Sequence, residues 1–556
     1  MKKSKLFLVL GLTLVLSLVL AACGGGSDSK SGSGGSKDSE QVLNLTESAL
    51  IPSADSTKAD DAVGLNVINQ TNEGLYALDK DGVAQPAGAT EKATVSDDKK
   101  VYTFKLRDDA KWSNGDPVTA KDYVYSWQRA VDPKTAATYS YLFDGLVQNA
   151  SEIIKGEKKP SELGIKAVDD TTLEVTLVQP TAYFDSLLAF PTFFPLNQKF
   201  VEEKGDKYAL DSDSILYNGP FKLTDWNGTG KTWSYVPNDT YWDKKAVKLK
   251  KINVQVVQDP GTGVNLYNTG KVDKTILSGE YAAQNKNKDD YLVEEQSSVF
   301  YIKFNQERNG KKTPLANENI RKALALSMDK QSYVDTVLQN GSIPANGLVP
   351  RKFTFDPKDN KDYRDEVGDV GTYDLDAAKK AWTQGLKELG VTSLNLEFTS
   401  DDTENAKKSS EFLQDQWEKN LSGLKVTLKN VPFKIRLAND QKQDYDFSMS
   451  AWGPDYQDPS TFLNLFRTGN TQNRMSYSNA DYDKIIDQAA GPLAGDTQAR
   501  WDEMLKAEPI LITKDQAIQP LYQRALAFLQ QPYVKDLQKN AFGPDYTYKN
   551  TYIDGK

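Results

Sequence analysis

The chain has no histidine among its 556 residues and a single cysteine, Cys23. Without histidine there is no Ser-His-Asp or Cys-His relay, no imidazole metal ligand and no imidazole switch near neutral pH. One cysteine allows no internal disulfide. Carboxylate, lysine and serine-lysine chemistry are the catalytic routes left, and no metal or cofactor is expected. A basic block is also missing. Lys and Arg number 68 against 77 Asp and Glu, a formal charge of −9, so nucleic acid is not an expected partner. After the N-terminal region no apolar run is long enough to span a bilayer. No repeat of fixed period appears, which argues against solenoids and propellers.

What is present begins at the N-terminus. Lys2, Lys3 and Lys5 precede an apolar run from Leu6 to Leu20, followed by Ala21, Ala22 and Cys23. A positive region, an apolar stretch and a small-residue cleavage site read as an export signal over residues 1–22. Leu20-Ala21-Ala22-Cys23 resembles the lipobox of bacterial lipoproteins. That resemblance implies cleavage before Cys23 and a diacylglyceryl thioether on its sulfur. The mature chain is then expected on the extracellular face of a cell membrane of the Gram-positive type. Residues 23–40 are rich in Gly and Ser and read as a flexible tether.

The remaining body is long enough for about three domains of about 150 residues. Val101–Arg107 alternates, with Tyr102, Phe104 and Leu106 on one face, and Thr172–Leu177 does the same with Leu173, Val175 and Leu177. Both predict half-buried strands. Residues 120–130 carry Tyr123, Val124, Trp127 and Ala130 at helical spacing, and residues 319–341 predict a long helix stopped at Asn340-Gly341. Interleaved strands and helices without a repeat predict an α/β or α+β multidomain protein.

Two motifs fail on inspection. Gly230-Lys231-Thr232 ends like a phosphate-binding loop, but Asp225 stands where the pattern needs glycine, and a strand-like stretch follows where it needs a helix. A hairpin turn is expected there. Asp79-Lys80-Asp81-Gly82 opens like a calcium loop, but Val83 takes a ligand position and the distal glutamate is missing. Asp81-Gly82 reads as a turn between strands.

Seven segments, in order, carry a broader resemblance. They are Asn72–Leu75, Tyr102–Arg107, Ala110–Arg129, Asn218–Phe221, Pro237–Trp242, Asn319–Leu324 and Ala451–Pro459. Together they resemble the oligopeptide-binding branch of the extracytoplasmic solute-binding proteins of ABC importers (the peptide/nickel type, family 5). The resemblance implies an α/β, two-lobed, periplasmic-binding-protein-like fold of the large class-C type, with three domains closing on ligand at a hinge. Domain I would comprise residues 41–72, 201–298 and 521–556, domain II 73–200 and domain III 299–520. It implies oligopeptide ligands, nutrient or pheromone, delivery to membrane permease subunits, a monomer, and no enzymatic activity.

The family's motif carries Asp455 over as the partner of the peptide's α-amino group. Read from the residues alone, Asp455 opens the turn Asp455–Pro459 equally well. Ala451, Trp452 and Gly453 would line the same wall. Ser298, Val299 and Phe300 would open a strand over residues 298–305 and pair with peptide backbone. Tyr141, Phe433 and the segment Asp60 to Ala62 would line the cleft, although core packing accounts for such aromatics equally well. Met449 and Glu404 stand where relatives place basic groups for the peptide carboxylate, so no fixed clamp for that end is expected. Capture of another small ligand, whole-protein binding and hydrolysis are the competing functions. An amine-anchoring acid argues against the first of these, and the missing histidine against the last.

Overall fold

In the computed structural model, residues 40–556 are described. The readings made for residues 1–22, Cys23 and most of the tether lie outside them. Among the described residues no helix is long and apolar enough to cross a membrane.

The apolar residues collect into several buried cores within a two-lobed mixed α/β fold. In the first lobe, a four-stranded sheet has the order Val42–Glu47, Lys251–Val256, Thr232–Pro237, Phe221–Thr224. The first pair is parallel and the others antiparallel. Leu43, Phe221, Trp233 and Ile252 are buried along it. The hairpin between Phe221–Thr224 and Thr232–Pro237 contains Gly228 at φ +85°, so Gly228–Thr232 is the expected turn. Likewise Asp79–Gly82 turns between the short strands Tyr76–Leu78 and Ala84–Pro86, with Gly82 at φ +77°. Asp79 is spent on that turn, accepting from the Asp81 and Val83 amides and from Gln85.

The same lobe holds an antiparallel sheet of the strands Thr94–Val95, Val101–Lys105, Thr172–Thr176 and Ile165–Asp169. The expected alternation holds, with Phe104, Leu173 and Val175 fully buried. Helix Ala120–Val131 lies against this sheet. The Thr119 amide donates to Asp122 at 2.7 Å and starts it. Tyr123, Trp127 and Ala130 recur at i, i+4 and i+7 and are buried together. The Trp127 indole N–H donates to the Phe193 carbonyl at 2.9 Å, so the ring's one polar atom is satisfied inside the core.

The second lobe is built on a sheet that also reaches the first. Its order is Lys274–Leu277, Ile518–Gln530, Tyr291–Phe304, Phe447–Trp452, Leu394–Asp401, Leu424–Val431. Two long strands, Tyr291–Phe304 and Ile518–Gln530, run between lobes. Their paired ends at Tyr291–Val293 and Ala527–Leu529 border a small core with Tyr267, Val272 and Leu277. Their other ends, Ile302, Phe304, Ile518 and Leu521, enter the cores of the second lobe. Register shifts between Glu295 and Val299, so the ladder is interrupted midway.

Two expectations are corrected. Residues 319–341 are not one helix. Glu318–Leu326 stops, Asp329 accepts from the Ser332 amide, and a new helical segment starts at Lys330. A side-chain oxygen before the first turn offers backbone donors a fresh cap, which the apolar spacing could not reveal. Nor do Ser298, Val299 and Phe300 open a strand, since the strand begins at Tyr291.

Candidate functional site

Strand Phe447–Trp452 leaves the sheet at Gly453-Pro454 and enters the loop that carries Asp455. A Cβ on Gly453 would stand 2.9 Å from the Ser298 hydroxyl oxygen, so glycine lets the two segments approach. The Asp455 amide donates to Thr461 Oγ1 at 2.9 Å. Asp458 accepts from the Ser460 amide at 2.9 Å and from the Arg500 guanidinium at 2.6 and 2.7 Å. These bonds fix the loop and explain Asp458 as a turn residue.

The Asp455 side chain is buried. Each carboxyl oxygen accepts from a tyrosine of the first lobe, Tyr139 at 3.1 Å and Tyr141 at 3.1 Å. Both belong to the single 3-10 turn Thr138–Leu142. Among the described residues no lysine or arginine pairs with Asp455, although 27 other carboxylate–cation contacts are formed. Desolvation pushes its carboxyl up to about 8, against the opposing pull of the two tyrosine hydrogen bonds. The tyrosines are pushed well above their ordinary value, first by burial and then by the neighbouring Asp455 charge.

Aromatic rings wall this acid. Tyr139 lies 5.8 Å from Tyr141, 5.0 Å from Phe190 and 6.2 Å from Trp452, measured between centroids. The Trp452 indole N–H is buried with no acceptor among the described residues. Ala451, by contrast, is exposed.

Val299 and Phe300 sit beside this group but differ from expectation. Val299 is in register with Trp452 on one side and Gln523 on the other, and Phe300 with Ala451 and Tyr522. Neighbouring strands flank both residues, so their backbone does not form an edge for an extended ligand. Ser298, in the register shift, has no strand partner on either side.

Asp60, Ala62 and Phe433 form a second group. Asp60 accepts from Arg474 at 2.7 Å and from Gln441 at 3.3 Å. Arg474 also reaches Asp440 at 3.3 Å, and Asp440 is paired with Lys303. Ala62 is exposed at the start of helix Ala62–Thr71. Phe433 starts helix Phe433–Gln441 and packs against the first lobe's four-stranded sheet. The two groups are neighbours: the charges of Asp60 and Asp61 act on Tyr139, and Thr471 Oγ1 donates to the Thr138 carbonyl.

Tyr139 and the Asp60–Arg474–Asp440 chain were not visible in the sequence. Tyr139 and Asp455 are 316 positions apart, Asp60 and Arg474 414, and Arg474 and Asp440 34, and no local pattern signals these pairings. The one carboxylate group among the described residues close enough to hold a metal is Asp356, Asp359 and Glu366. Asp356 is already committed there, to the Lys358 and Asp359 amides and to Gln498.

The comparisons with known proteins bear on the family and the fold. The family described as bacterial extracellular solute-binding proteins, family 5 (middle region), matches residues 84–474. A dipeptide-binding protein of Lactococcus lactis subsp. cremoris is 38% identical, with 100% of both chains covered. The oligopeptide-binding protein OppA of Bacillus subtilis is 35% identical over 98% of this chain and 99% of its own. Among solved structures, Listeria monocytogenes OppA bound to peptide shares 70% identity with a TM-score of 0.91, covering 93% of this chain and 100% of that one. The pheromone receptor PrgZ, described with its mode of peptide binding, gives 36% identity and a TM-score of 0.88, with 93% and 100% coverage.

Proposed function

The chain belongs to family 5 of the bacterial extracellular solute-binding proteins, whose members bind solutes and are not enzymes, and we propose that it captures peptides by their free amino terminus and hands them to the permease subunits of an ABC importer. The observation that carries this reading is Asp455, buried between the lobes with a tyrosine on each oxygen and no cation partner among the described residues. A buried carboxylate is costly unless paired, and an α-ammonium group is the partner that a peptide brings. The names of the relatives support a peptide as the ligand.

Trp452, Ala451, Gly453, Ser298 and Tyr141 are assigned to the ligand's amino-terminal end. Ser298, free of strand partners, is a better candidate for peptide main chain than Val299 or Phe300. Asp60, Ala62 and Phe433 are assigned to the opposing wall. The two long inter-lobe strands serve as the hinge about which the lobes close. The protein acts as a monomer, anchored outside the cell through lipid on Cys23, with residues 23–40 as the tether.

Mass spectrometry of ligand released from the purified protein tests the function. A heterogeneous set of peptides is expected, and a single non-peptide species would contradict the reading. For the anchor, mass spectrometry of the mature N-terminus is expected to find lipidated Cys23. An unmodified residue elsewhere would refute it.

A further inference from the structure

The strand Val42–Glu47 enters the first lobe's four-stranded sheet beside a run of lysines. Lys244, Lys245, Lys248, Lys250 and Lys251 fall within one stretch, residues 244–251, that contains no acid. Val42 is in register with Lys251, and the Lys250 amide donates to the Gln41 carbonyl at 2.7 Å. The Gln41 side chain is held in turn by the backbone of Ile553, donating at 2.8 Å and accepting at 3.0 Å. Beside Ile553, Tyr552 is in register with Lys535 and carries Lys248, whose Nζ stands 4.2 Å from the ring centroid. The run is therefore packed around the place where residue 40 joins the body.

Its charge is left open. Lys244, Lys245, Lys248 and Lys250 are exposed, and among the described residues none of them forms an ion pair with a carboxylate. Lys251 reaches Asp225 at 3.7 Å, and Asp243 is taken by Lys549 at 2.6 Å. Glu40, Asp239 and Asp554 border the run, yet the loop 238–250 keeps a surplus of positive charge in a chain whose formal charge is −9.

A charge run that only keeps a surface wet can sit anywhere. This one borders residue 40, where the proposed tether of residues 23–40 ends. A short tether holds the body at high local concentration near the surface in which Cys23 is fixed. Each lysine brought to a layer of anionic headgroups gains about fivefold in affinity.

We propose that the lysine run of residues 244–251 rests on anionic phospholipid headgroups and sets how the first lobe is turned toward the membrane. The proposal rests on the reading of Cys23 as a lipid anchor. None of these lysines belongs to the residues assigned to the ligand, so the contact leaves peptide affinity untouched and fixes the orientation from which peptide is handed on.

Sedimentation of the unlipidated mature chain with vesicles tests the contact. Vesicles of phosphatidylcholine alone are compared with vesicles of phosphatidylcholine and phosphatidylglycerol. Binding is expected only to the second, and salt should weaken it. A variant carrying Lys244→Gln, Lys245→Gln, Lys248→Gln and Lys250→Gln should bind at least about tenfold more weakly. A control carrying Lys379→Gln, Lys380→Gln, Lys387→Gln and Lys407→Gln makes the same change of charge at exposed positions of the second lobe and should bind like the wild type. Both variants should keep wild-type peptide affinity and melting temperature. No preference for phosphatidylglycerol, or equal losses in the two variants, would overturn the proposal. Lipidated Cys23 found by mass spectrometry together with that result keeps the anchor and removes the contact. Selective vesicle binding with an unmodified Cys23 keeps the contact and removes the anchor.

Discussion

At the scale of the residue, Asp455 is a carboxyl group held in the wrong protonation state for its partner. Burial raises its pKa from 3.8 to about 8, so the ligand-free protein keeps it protonated at neutral pH. A group raised in the folded state adds stability that is fully present below pH 3.8 and is lost as pH climbs through about 8. An arriving ammonium reverses the preference and needs the carboxylate, so binding at pH 6 should expel about one proton per peptide. Affinity is then expected to rise about tenfold per pH unit from about pH 5. It should level off near pH 8, where the peptide's own α-amino group begins to lose its proton. Titrations in two buffers of different ionisation enthalpy measure the proton directly. No proton release at pH 6, with affinity flat from pH 5 to 7, would contradict this account.

At the scale of the element, helix Ala62–Thr71 begins beside the cleft under a cap that is strained by charge. Asp61 accepts from the Gly64 amide at 2.8 Å through one oxygen, while the other is buried without a partner. Desolvation, with neighbouring Asp60 adding to it, raises its pKa from 3.8 to about 7. Asp61→Asn keeps an accepting oxygen and removes the charge. It should therefore match the wild type in stability at pH 4 and exceed it at pH 8, since the wild-type penalty grows between pH 3.8 and about 7. Asp61→Ala should lose about 1 kcal/mol at pH 5, the ordinary cost of a lost cap. Thermal melts across that pH range check both.

The elements also show where sequence reading succeeds and fails. Strand Val101–Lys105 and helix Ala120–Val131 were legible because each has one buried face, and side-chain spacing reports such a face. Strand Tyr291–Phe304 was not, because Glu294, Glu295, Gln296, Ser297 and Ser298 interrupt its apolar pattern where it passes between lobes. Asp455 could be singled out only through the resemblance of Ala451–Pro459 to a family motif. Tyr139, which completes its setting, comes from a segment 316 positions away, and pairing over that distance leaves no local trace.

At the scale of the whole molecule, the lobes meet through polar contacts as well as through the hinge strands. Arg474 of the second lobe joins Asp60 of the first at 2.7 Å, each about 7% exposed, and continues to Asp440. Breaking a buried pair by removing one partner costs about 3–5 kcal/mol, because the stranded charge stays behind. Opening the lobes rehydrates Asp60, so Arg474→Gln should favour the open form. By small-angle scattering the ligand-free variant should have a larger radius of gyration than the wild type, and peptide should contract it. An unchanged radius in the variant would show that this pair does not hold the lobes together. Whether closure has a peptide amine at its centre is best decided by calorimetry of wild type and Asp455→Asn with one peptide, in free-amine and N-acetylated forms. Loss of one partner of a buried charge pair costs about 2–5 kcal/mol, about thirtyfold to several thousandfold in affinity. The free-amine peptide should lose that much in Asp455→Asn while the acetylated peptide, already weak, loses far less. Equal losses for both peptides, or none for either, would contradict the assignment of Asp455 as the amine anchor.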